Sequence, residues 1–447
     1  MNGQMSLFEL AEHAENENMD KSYKGKPRIL RPVREQMEMM TYSIDQLIPV
    51  DHKARLVWKY VEKLNLSKFL INIDSVEGGA GRPSIDPRVL LALWLYATIE
   101  GIGQGRVIER YCTEHNAFRW ICGGLNISYH TINDFRASNG EPLNELITQS
   151  VTMLLAQNLV SLEGISQDGI KVRAHAGASS FRRRSTLKEL QEVVRAHVEK
   201  LNKNREENCS EILSRKRIIE QQKAADREKR INQAIDHVEQ IRKEKENSLK
   251  KQRKKLTEKD KTKIRASVTD PESRVMKMGN GGYCPAYNVQ LATDINTHVI
   301  VGLEVSNNCG DRGLMSRMQK KVIDTFKIKP KKWLVDGGYT QHEDIDKVGK
   351  LNHDCEIYMP PRNAHNPDSY VPKDDDSNDV KKWRIRMGTI EAKEIYKSRA
   401  ATSEFVNANL RNKGLQHFFV RTLAKVTANM CIFVITHNMI RAWDLMS

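Results

Sequence analysis

The chain has 447 residues, with 72 Lys or Arg against 57 Asp or Glu, so its formal net charge is +15 and its pI is near 9.3. This length exceeds the size at which one hydrophobic core usually stops growing, which excludes a lone small module and predicts several domains. The positive charge favours a polyanionic partner, most simply nucleic acid.

Cysteine usage and hydropathy narrow the class of protein further. The seven cysteines form no CxxC pair and no zinc spacing, and their odd number argues against a disulfide framework. The sequence has no run of about 18 apolar residues and no signal-peptide pattern. We therefore expect a cytoplasmic protein without a membrane partner.

The first third of the chain shows helical patterning. Residues 1–39 are predicted to be a flexible tail and residues 40–160 a helical DNA-binding domain. Ser84-Ile-Asp-Pro87 supplies a capping residue and a first-turn proline to the apolar stretch Val89–Ala97. This combination predicts the central helix of that domain.

A second helix of this region starts at the capping residue Ser128 and continues with polar side chains. Such side chains bind base edges or phosphates in helix-turn-helix proteins, and a plain surface helix carries the same residue types. Both interpretations stay open from the sequence. The residues predicted to contact DNA here are His130, Thr131, Asn133 and Arg136.

Residues 181–269 are predicted to form a basic helical insertion. Between residues 181 and 265 the chain has 27 Lys or Arg against 15 Asp or Glu, a surplus of 12 positive charges, and it has no Pro or Gly. Apolar residues recur at helical spacing, as at Leu187, Leu190 and Val194. We expect long, exposed, partly coiled helices that serve either as a spacer or as a clamp on the DNA backbone.

Residues 161–180 and 270–447 are predicted to form one mixed α/β sheet domain, interrupted by the basic segment. Alternating β-branched residues predict a hairpin from Tyr287–Thr293 and His298–Val305. Three shorter strands are predicted at Gly164–Asp168, Lys332–Val335 and Cys355–Met359. Helices are predicted at Leu314–Phe326, around His342–Val348, at Ile390–Lys413 and along an apolar stripe from Phe419 to Ile440. Residues 360–389 are predicted to be a loop, and His437 on the last helix to be a buried core residue.

Two aspartates, Asp168 and Asp336, follow predicted strands and precede glycine. Carboxylates at strand ends project into the crevice where α/β sheets bind ligands, although Asp-Gly also forms simple turns. Phosphodiester cleavage needs an activated nucleophilic oxygen and a stabilised leaving oxygen, which two Mg²⁺ ions roughly 4 Å apart supply when carboxylates hold them. The two aspartates, with a carboxylate on a later helix, therefore indicate a metal-dependent nuclease site.

Several stretches of this chain resemble the DDE transposases of bacterial insertion sequences. They are Ile165–Ala174, Tyr287–Asp294, Leu334–Tyr339 and Arg399–Glu404. Upstream, residues 81–87, 118–123 and 130–136 resemble the helical domain that a large subgroup carries ahead of its catalytic core. The resemblance covers nearly the whole chain from about residue 40, in the same order.

The resemblance implies an RNase H-like core in which Asp168, Asp336 and Glu404 are the catalytic residues and hold two Mg²⁺ ions, with Mn²⁺ as a substitute. Further residues expected to bind DNA are Lys171, Arg173, Tyr396, Arg399 and Arg411. Some members of the broader group have three residues between the arginine and the glutamate, and a lysine where this chain has Arg411. Here four residues separate Arg399 from Glu404. The alternative third acids are Glu304, Asp294, Asp311, Glu391 and Glu394.

The expected activity is transposition of DNA. The enzyme would bind the terminal inverted repeats of its element and hydrolyse the bond at each end to expose a 3′ hydroxyl. That hydroxyl would then attack target DNA and join the element end to it. Double-stranded DNA is the expected partner, together with further copies of the chain in a homodimer or larger complex. The resemblance also implies association with the bacterial nucleoid when the protein is bound to DNA. The alternatives are a non-catalytic DNA-binding protein derived from a transposase, and an RNase H-like nuclease that does not join strands.

Overall fold

The structure is a computed structural model that describes residues 41–71, 73, 75, 83–203, 211–251 and 253–446. The predicted flexible tail lies outside the described residues, as do Gly81 and Arg82. The chain divides into two units, Met1–Ser43 and Ile44–Ser447, and all elements below belong to the second.

The N-terminal region is helical, as predicted. A 3₁₀ turn at Ile44–Leu47 precedes helices α1 Lys53–Glu62, α2 Ser67–Leu70, α3 Pro87–Ile99, α4 Gly105–Glu114, α5 Asn116–Cys122, α6 Tyr129–Ser138 and α7 Gly140–Ala156. Helix α3 begins where the sequence indicates, because the Asp86 side chain accepts a hydrogen bond of 2.8 Å from the Arg88 amide and Pro87 occupies the first turn. Its residues from Val89 to Thr98 are buried, so α3 is the central helix of this region.

Eight strands follow in the described part of the chain. They are β1 Gly164–Arg173, β2 Phe181–Arg183, β3 Arg265–Ser267, β4 Arg274–Lys277, β5 Tyr283–Asp294, β6 Ile300–Ser306, β7 Lys332–Leu334 and β8 Glu356–Tyr358. The predicted hairpin is confirmed as β5 and β6, and the three shorter predicted strands are confirmed as β1, β7 and β8. Strand β1 extends five residues beyond its predicted end at Asp168, to Arg173.

Six of these strands form one mixed sheet in the order β6, β5, β1, β7, β8, and β4 lies beside the first half of β5. Strand β1 is antiparallel to β5 and parallel to β7, which is parallel to β8. Strand β7 pairs with β1 only from Gly164 to Ser166, while β5 pairs with β1 as far as Arg173. From Gln167 onward, β1 therefore has a paired strand on its β5 side and none on its β7 side, and Asp168 lies at this step.

Between β2 and β3 the chain forms two long helices, α8 Arg184–Lys203 and α9 Glu211–Lys251, followed by the short helix α10 Glu258–Thr262. Helices α8 and α9 run antiparallel, as shown by the pairs Arg184–Glu239 and Arg195–Glu228. Strands β2 and β3 pair with each other at the base of the two helices. A small separate cluster of buried apolar residues holds this base together: Leu187, Ala234, Val238, Ile264 and Ala266.

The remaining helices surround the sheet. They are α11 Met315–Phe326, α12 His342–Leu351, α13 Asn378–Gly388, α14 Ile390–Asn412 and α15 Leu423–Met446. The prediction of a loop over residues 360–389 is wrong in its last part, where Ser377 caps α13 and buried Val380 and Trp383 face the core. Apolar spacing in this helix is obscured by its many Lys and Arg residues. Helix α14 ends near its predicted C-terminus, where Gly414 adopts a positive φ of 88°.

Helix α15 is the core helix that joins the N-terminal helices to the sheet. It contacts α3, α6 and α7 on one side and β6 on the other, within one continuous apolar cluster. Its length and composition would suffice to cross a membrane, but 72% of its most apolar window is buried inside the protein. His437 is buried as predicted, with Nε2 2.8 Å from the carbonyl of His298, and burial lowers its pKa to about 4.

We predict that replacing residues 184–264 with a short Gly/Ser linker leaves a folded sheet domain. Arg183 and Arg265 are cross-strand partners, so their Cα atoms lie about 5 Å apart and a tight turn closes the gap. Loop closure entropy varies slowly with length, and the buried cluster of α8 and α9 is separate from the main cores. Thermal unfolding followed by circular dichroism should show one cooperative transition. Aggregation, or a melt without cooperativity, would mean that α8 and α9 cover part of the main core.

Candidate active site

Asp168 and Asp336 lie close together where β7 ends. Asp168 is in the middle of β1, and Asp336 follows β7, where its Oδ1 accepts a hydrogen bond of 2.7 Å from the amide of Gly338. The Nη2 atom of Arg399 lies 2.8 Å from Oδ1 of Asp168 and 3.6 Å from Oδ2 of Asp336. One positively charged nitrogen therefore contacts both carboxylates.

Helix α14 supplies the side chains that surround Asp168. Asn407 donates from Nδ2 to Oδ2 of Asp168 over 3.0 Å, while Arg399 donates to Oδ1. Between them, Ser403 Oγ lies 3.3 Å from Ser166 Oγ on β1. Positions 399, 403 and 407 are successive four-residue steps, so a single face of α14 lies against this part of β1.

The Asp168 carboxyl is half-buried, with 19% of its side chain exposed. Burial raises its pKa, against the opposing effects of the Arg399 charge and the Asn407 hydrogen bond, and the nearby charge of Asp336 raises it further. Two carboxylates in one crevice repel each other unless a cation lies between them. In this arrangement Arg399 provides that positive charge.

Glu404, the predicted third acid, is also on α14, but its side chain is exposed. In the described part of the chain, no three His, Cys, Asp or Glu side chains are arranged as a metal site. The assignment of Glu404 as the third acid therefore stays a prediction. The neighbouring alternatives Glu391 and Glu394 are exposed, and Glu394 pairs with Lys397 over 2.7 Å.

The other alternative acids lie on or beside the hairpin. Asp294 is buried at the end of β5 and accepts hydrogen bonds from the amide and hydroxyl of Thr297, which makes it a turn-forming residue. Glu304 on β6 pairs with Arg317. Asp311 follows β6 and accepts hydrogen bonds of 2.8 Å from the side-chain amides of Asn288 and Gln290 on β5. Of these three, Asp311 is the one that approaches the crevice of Asp168 and Asp336.

The crevice also includes Asn288 and Gln290, two residues that the sequence-based predictions above do not contain. Both side chains are fully buried, and both point to the same face of β5 because they are two residues apart. The signal that identifies them is a pair of amide side chains alternating with Val289 and Leu291 in a buried strand. Buried amides need hydrogen-bond partners, so this pattern predicts a polar network beneath the sheet.

The residues predicted to bind DNA on α6 have different surroundings. His130 is exposed and its ring lies 4.0 Å from that of Tyr129, whereas the Thr131 amide is bonded to the capping Ser128 hydroxyl. Arg136 is 3% exposed, and its guanidinium lies 4.1 Å from the Trp94 ring.

Arg136 Nη1 donates to the carbonyl of Gly103 and to Asn429 of α15, and Nη2 donates to Asn133. Burial lowers the pKa of Arg136 to about 10. The prediction that Arg136 binds DNA is therefore corrected, because its side chain joins α6 to the core helix α15. Helical spacing of polar residues could not reveal that this face of α6 is covered.

The remaining residues predicted to bind DNA lie on β1 and α14, the two elements that contribute Asp168 and Arg399. Lys171 is half-buried and Arg173 exposed, both on β1 beyond Asp168. Tyr396 is half-buried on α14, one turn before Arg399, and Arg411 near the end of that helix is exposed. Arg399 itself contacts the two aspartates, a role that the sequence did not indicate.

Comparison with protein families gives two matches. Residues 42–138 match a transposase domain (DUF772), and residues 252–439 match a transposase DDE domain. The first covers most of the N-terminal helical region, and the second runs from the end of the basic segment to α15. No curated protein and no solved structure matches the chain. The two matched domains follow each other in the order expected from the resemblance described above.

Gly169 provides a sharp test of the packing around Asp168. A Cβ atom on Gly169 would lie 2.5 Å from Gln290 Nε2 and 2.7 Å from Asp311 Oδ1, closer than carbon tolerates. We predict that Gly169→Ala lowers the free energy of unfolding by about 1–3 kcal/mol, because the amide network and Asp311 must shift. Gly310→Ala is the control, since a Cβ there meets nothing within 4 Å. Chemical denaturation of both variants measures the effect, and equal stability would contradict this packing.

Proposed function

We propose that this chain, which belongs to the DDE transposases of insertion sequences, binds the terminal inverted repeats of its element and cuts and joins DNA there. Hydrolysis at each element end would expose a 3′ hydroxyl, which then attacks a phosphodiester bond of target DNA. The observation that carries this proposal is the approach of Asp168 and Asp336 to one positively charged atom, Arg399 Nη2. Its partners would be double-stranded DNA and further copies of the chain in a homodimer or larger complex.

The proposed catalytic domain is an RNase H-like core formed by residues 161–180 and 270–447. The strand order β6, β5, β1, β7, β8 supports it, with the first three strands antiparallel and the last two parallel to β1. Residues 181–269 would be an insertion between its first and second strands. The pairing of β2 with β3 supports this, because both ends of the segment leave the domain at one place.

The residues of the crevice fit divalent cations. Arg399 Nη2 already places a positive charge within 3.6 Å of an oxygen from each aspartate, and Mg²⁺ prefers such oxygen ligands. We propose that Asp168, Asp336 and Glu404 hold two Mg²⁺ ions, for which Mn²⁺ can substitute. When bound, these ions supply activation of the attacking oxygen and stabilisation of the leaving oxygen.

The chain's own residues would orient the carboxylates and the DNA. Asn407 fixes one oxygen of Asp168, so the carboxylate keeps a single orientation. Glu404 lies on α14 between Arg399 and Asn407, the two residues of that helix that donate hydrogen bonds to Asp168. Arg399 would exchange its carboxylate partners for a DNA phosphate once cations neutralise the aspartates. Its Nε is buried without a hydrogen-bond partner among the described residues, which leaves a donor for that phosphate.

DNA binding would use surfaces on both sides of the crevice. Lys171 and Arg173 extend along β1 from Asp168, and Arg411 lies at the far end of α14. Exposed His130, with half-buried Thr131 and Asn133, would contribute to sequence recognition by the N-terminal helical domain, residues 40–160. The basic helices α8 and α9 would bind the phosphate backbone, which neutralises charge without reading sequence.

The proposal is tested by neutralising each acid in turn. We predict that Asp168→Asn, Asp336→Asn and Glu404→Gln each lower end cleavage and strand transfer in Mg²⁺ by at least about 100-fold, because each loses a charge that balances a cation. End binding in a gel-shift assay should stay within a few-fold of the parent protein. The assays use labelled oligonucleotides carrying the inverted repeats that flank the gene.

Glu391→Gln is the matched control for Glu404→Gln, since both residues are exposed on α14. It should leave cleavage near the parental rate. Parental activity of Asp168→Asn or Asp336→Asn would overturn the proposed chemistry, whereas parental activity of Glu404→Gln alone would overturn only the third acid. Cleavage without strand transfer by the parent would indicate a nuclease instead of a transposase.

A further inference from the structure

We propose that Asp311 is a further catalytic carboxylate of this crevice and binds a divalent cation together with Asp336. This inference rests on the proposed function, because it adds a ligand to the same cation site. Asp311 lies in the segment between β6 and α11, whereas Asp168 lies in the middle of β1 and Asp336 follows β7. Its placement depends on a chain of buried hydrogen bonds that begins at Trp333 on β7 and passes through Gln167 on β1 to Gln290 on β5.

The chain of hydrogen bonds has a fixed direction. The indole of Trp333 can only donate, and its Nε1 lies 3.1 Å from Oε1 of Gln167. Gln167 therefore donates from Nε2 to Oε1 of Gln290 over 2.9 Å. The hydroxyl of Tyr339 donates to that same oxygen, so the Nε2 end of Gln290 must face Asp311.

This direction makes Asp311 the terminal acceptor. Gln290 and Asn288 both donate to Oδ1 of Asp311 over 2.8 Å, and both amide side chains are fully buried. A carboxylate oxygen accepts hydrogen bonds, so two amide donors on Oδ1 fix the position of that oxygen. The buried network therefore orients the Asp311 carboxylate.

The second oxygen of Asp311 lies on the side of Asp336. A Cβ atom built on Gly338 would lie 3.8 Å from Oδ2 of Asp311 and 2.8 Å from Oδ1 of Asp336, so both oxygens border the same small space. Among the described residues, none donates a hydrogen bond to Oδ2 of Asp311. A carboxylate held by one oxygen, with the other bordering the same space as an oxygen of a second carboxylate, is suited to bind a hard cation with a single oxygen.

Asp311 and Asp168 approach Asp336 from opposite faces of the sheet. Asp168 shares its face of β1 with Ser166, which contacts α14, whereas a Cβ on the next residue, Gly169, would collide with Asp311 Oδ1. Asp336, at the end of β7, lies between them. Arg399 contacts Asp336 from the α14 face, which leaves the Asp311 side of Asp336 for a cation.

The test measures binding of Mn²⁺ alone to the full-length protein, by electron paramagnetic resonance of the free ion and by isothermal titration calorimetry. Asp311→Asn is the informative variant, because Asn keeps the oxygen that accepts both amides and loses only the charge. We expect it to weaken Mn²⁺ binding by at least about 10-fold, or to remove one bound ion. Asp324→Asn is the matched control on the exposed face of α11 and should bind like the parent.

Folding and function are checked separately. The melting temperature in EDTA should be the same for the parent and Asp311→Asn, and the Mg²⁺ concentration that half-saturates cleavage should rise at least about 10-fold in the variant. Asp168→Asn distinguishes a failure of the Asp311 proposal from a failure of the proposed cation site. If it loses Mn²⁺ while Asp311→Asn binds like the parent, the role of Asp311 is wrong and the proposed function stands. If Asp168→Asn also binds like the parent, the proposed cation site itself is wrong.

Discussion

The contact of Arg399 with Asp168 and Asp336 is the interaction on which the crevice depends. Two carboxylates from neighbouring strands repel each other at low dielectric, and one guanidinium between them offsets that repulsion. The fold brings the three groups together because β7 ends at Leu334, opposite Ser166, so each aspartate lies two residues beyond that last pair. Helix α14 lies against this part of β1 and places Arg399 beside both aspartates. It lies there because α15, the buried helix that follows it, fixes the end of the chain against the sheet and the N-terminal helices.

Much of this arrangement could be predicted from the sequence, because periodicity and β-branched residues report directly on burial. The hairpin of β5 and β6, the strand that ends before Asp336 and the core helix with His437 are predicted from the sequence and confirmed. The strand at Asp168 is confirmed too, but β1 continues past that residue to Arg173. The two aspartates lie close together because Asp336 follows the end of β7, while Asp168 lies on β1 just beyond the last residue that pairs with β7.

Other features depend on contacts between distant parts of the chain, and local patterns cannot reveal them. Local spacing places Arg136 among the polar residues of α6. It is covered by α15, whose Asn429 accepts a hydrogen bond from it although the two residues are 293 positions apart in the sequence. Arg399 looks like a phosphate ligand, yet without DNA it pairs with the aspartates. The orientation of Asp311 depends on amides from β5 that are buried by elements on both sides. In each case the partner, and not the residue type, decides what the side chain does.

The most direct test of the account is the position of Mn²⁺ in crystals of the protein, located from its anomalous scattering. The account predicts a peak about 2–2.5 Å from carboxylate oxygens of both Asp168 and Asp336, with the Arg399 guanidinium displaced from between them. Cations and guanidinium compete for the same oxygens, so both cannot occupy that place. A structure at saturating Mn²⁺ in which Arg399 still pairs with the two aspartates, and no peak lies beside them, would contradict the account.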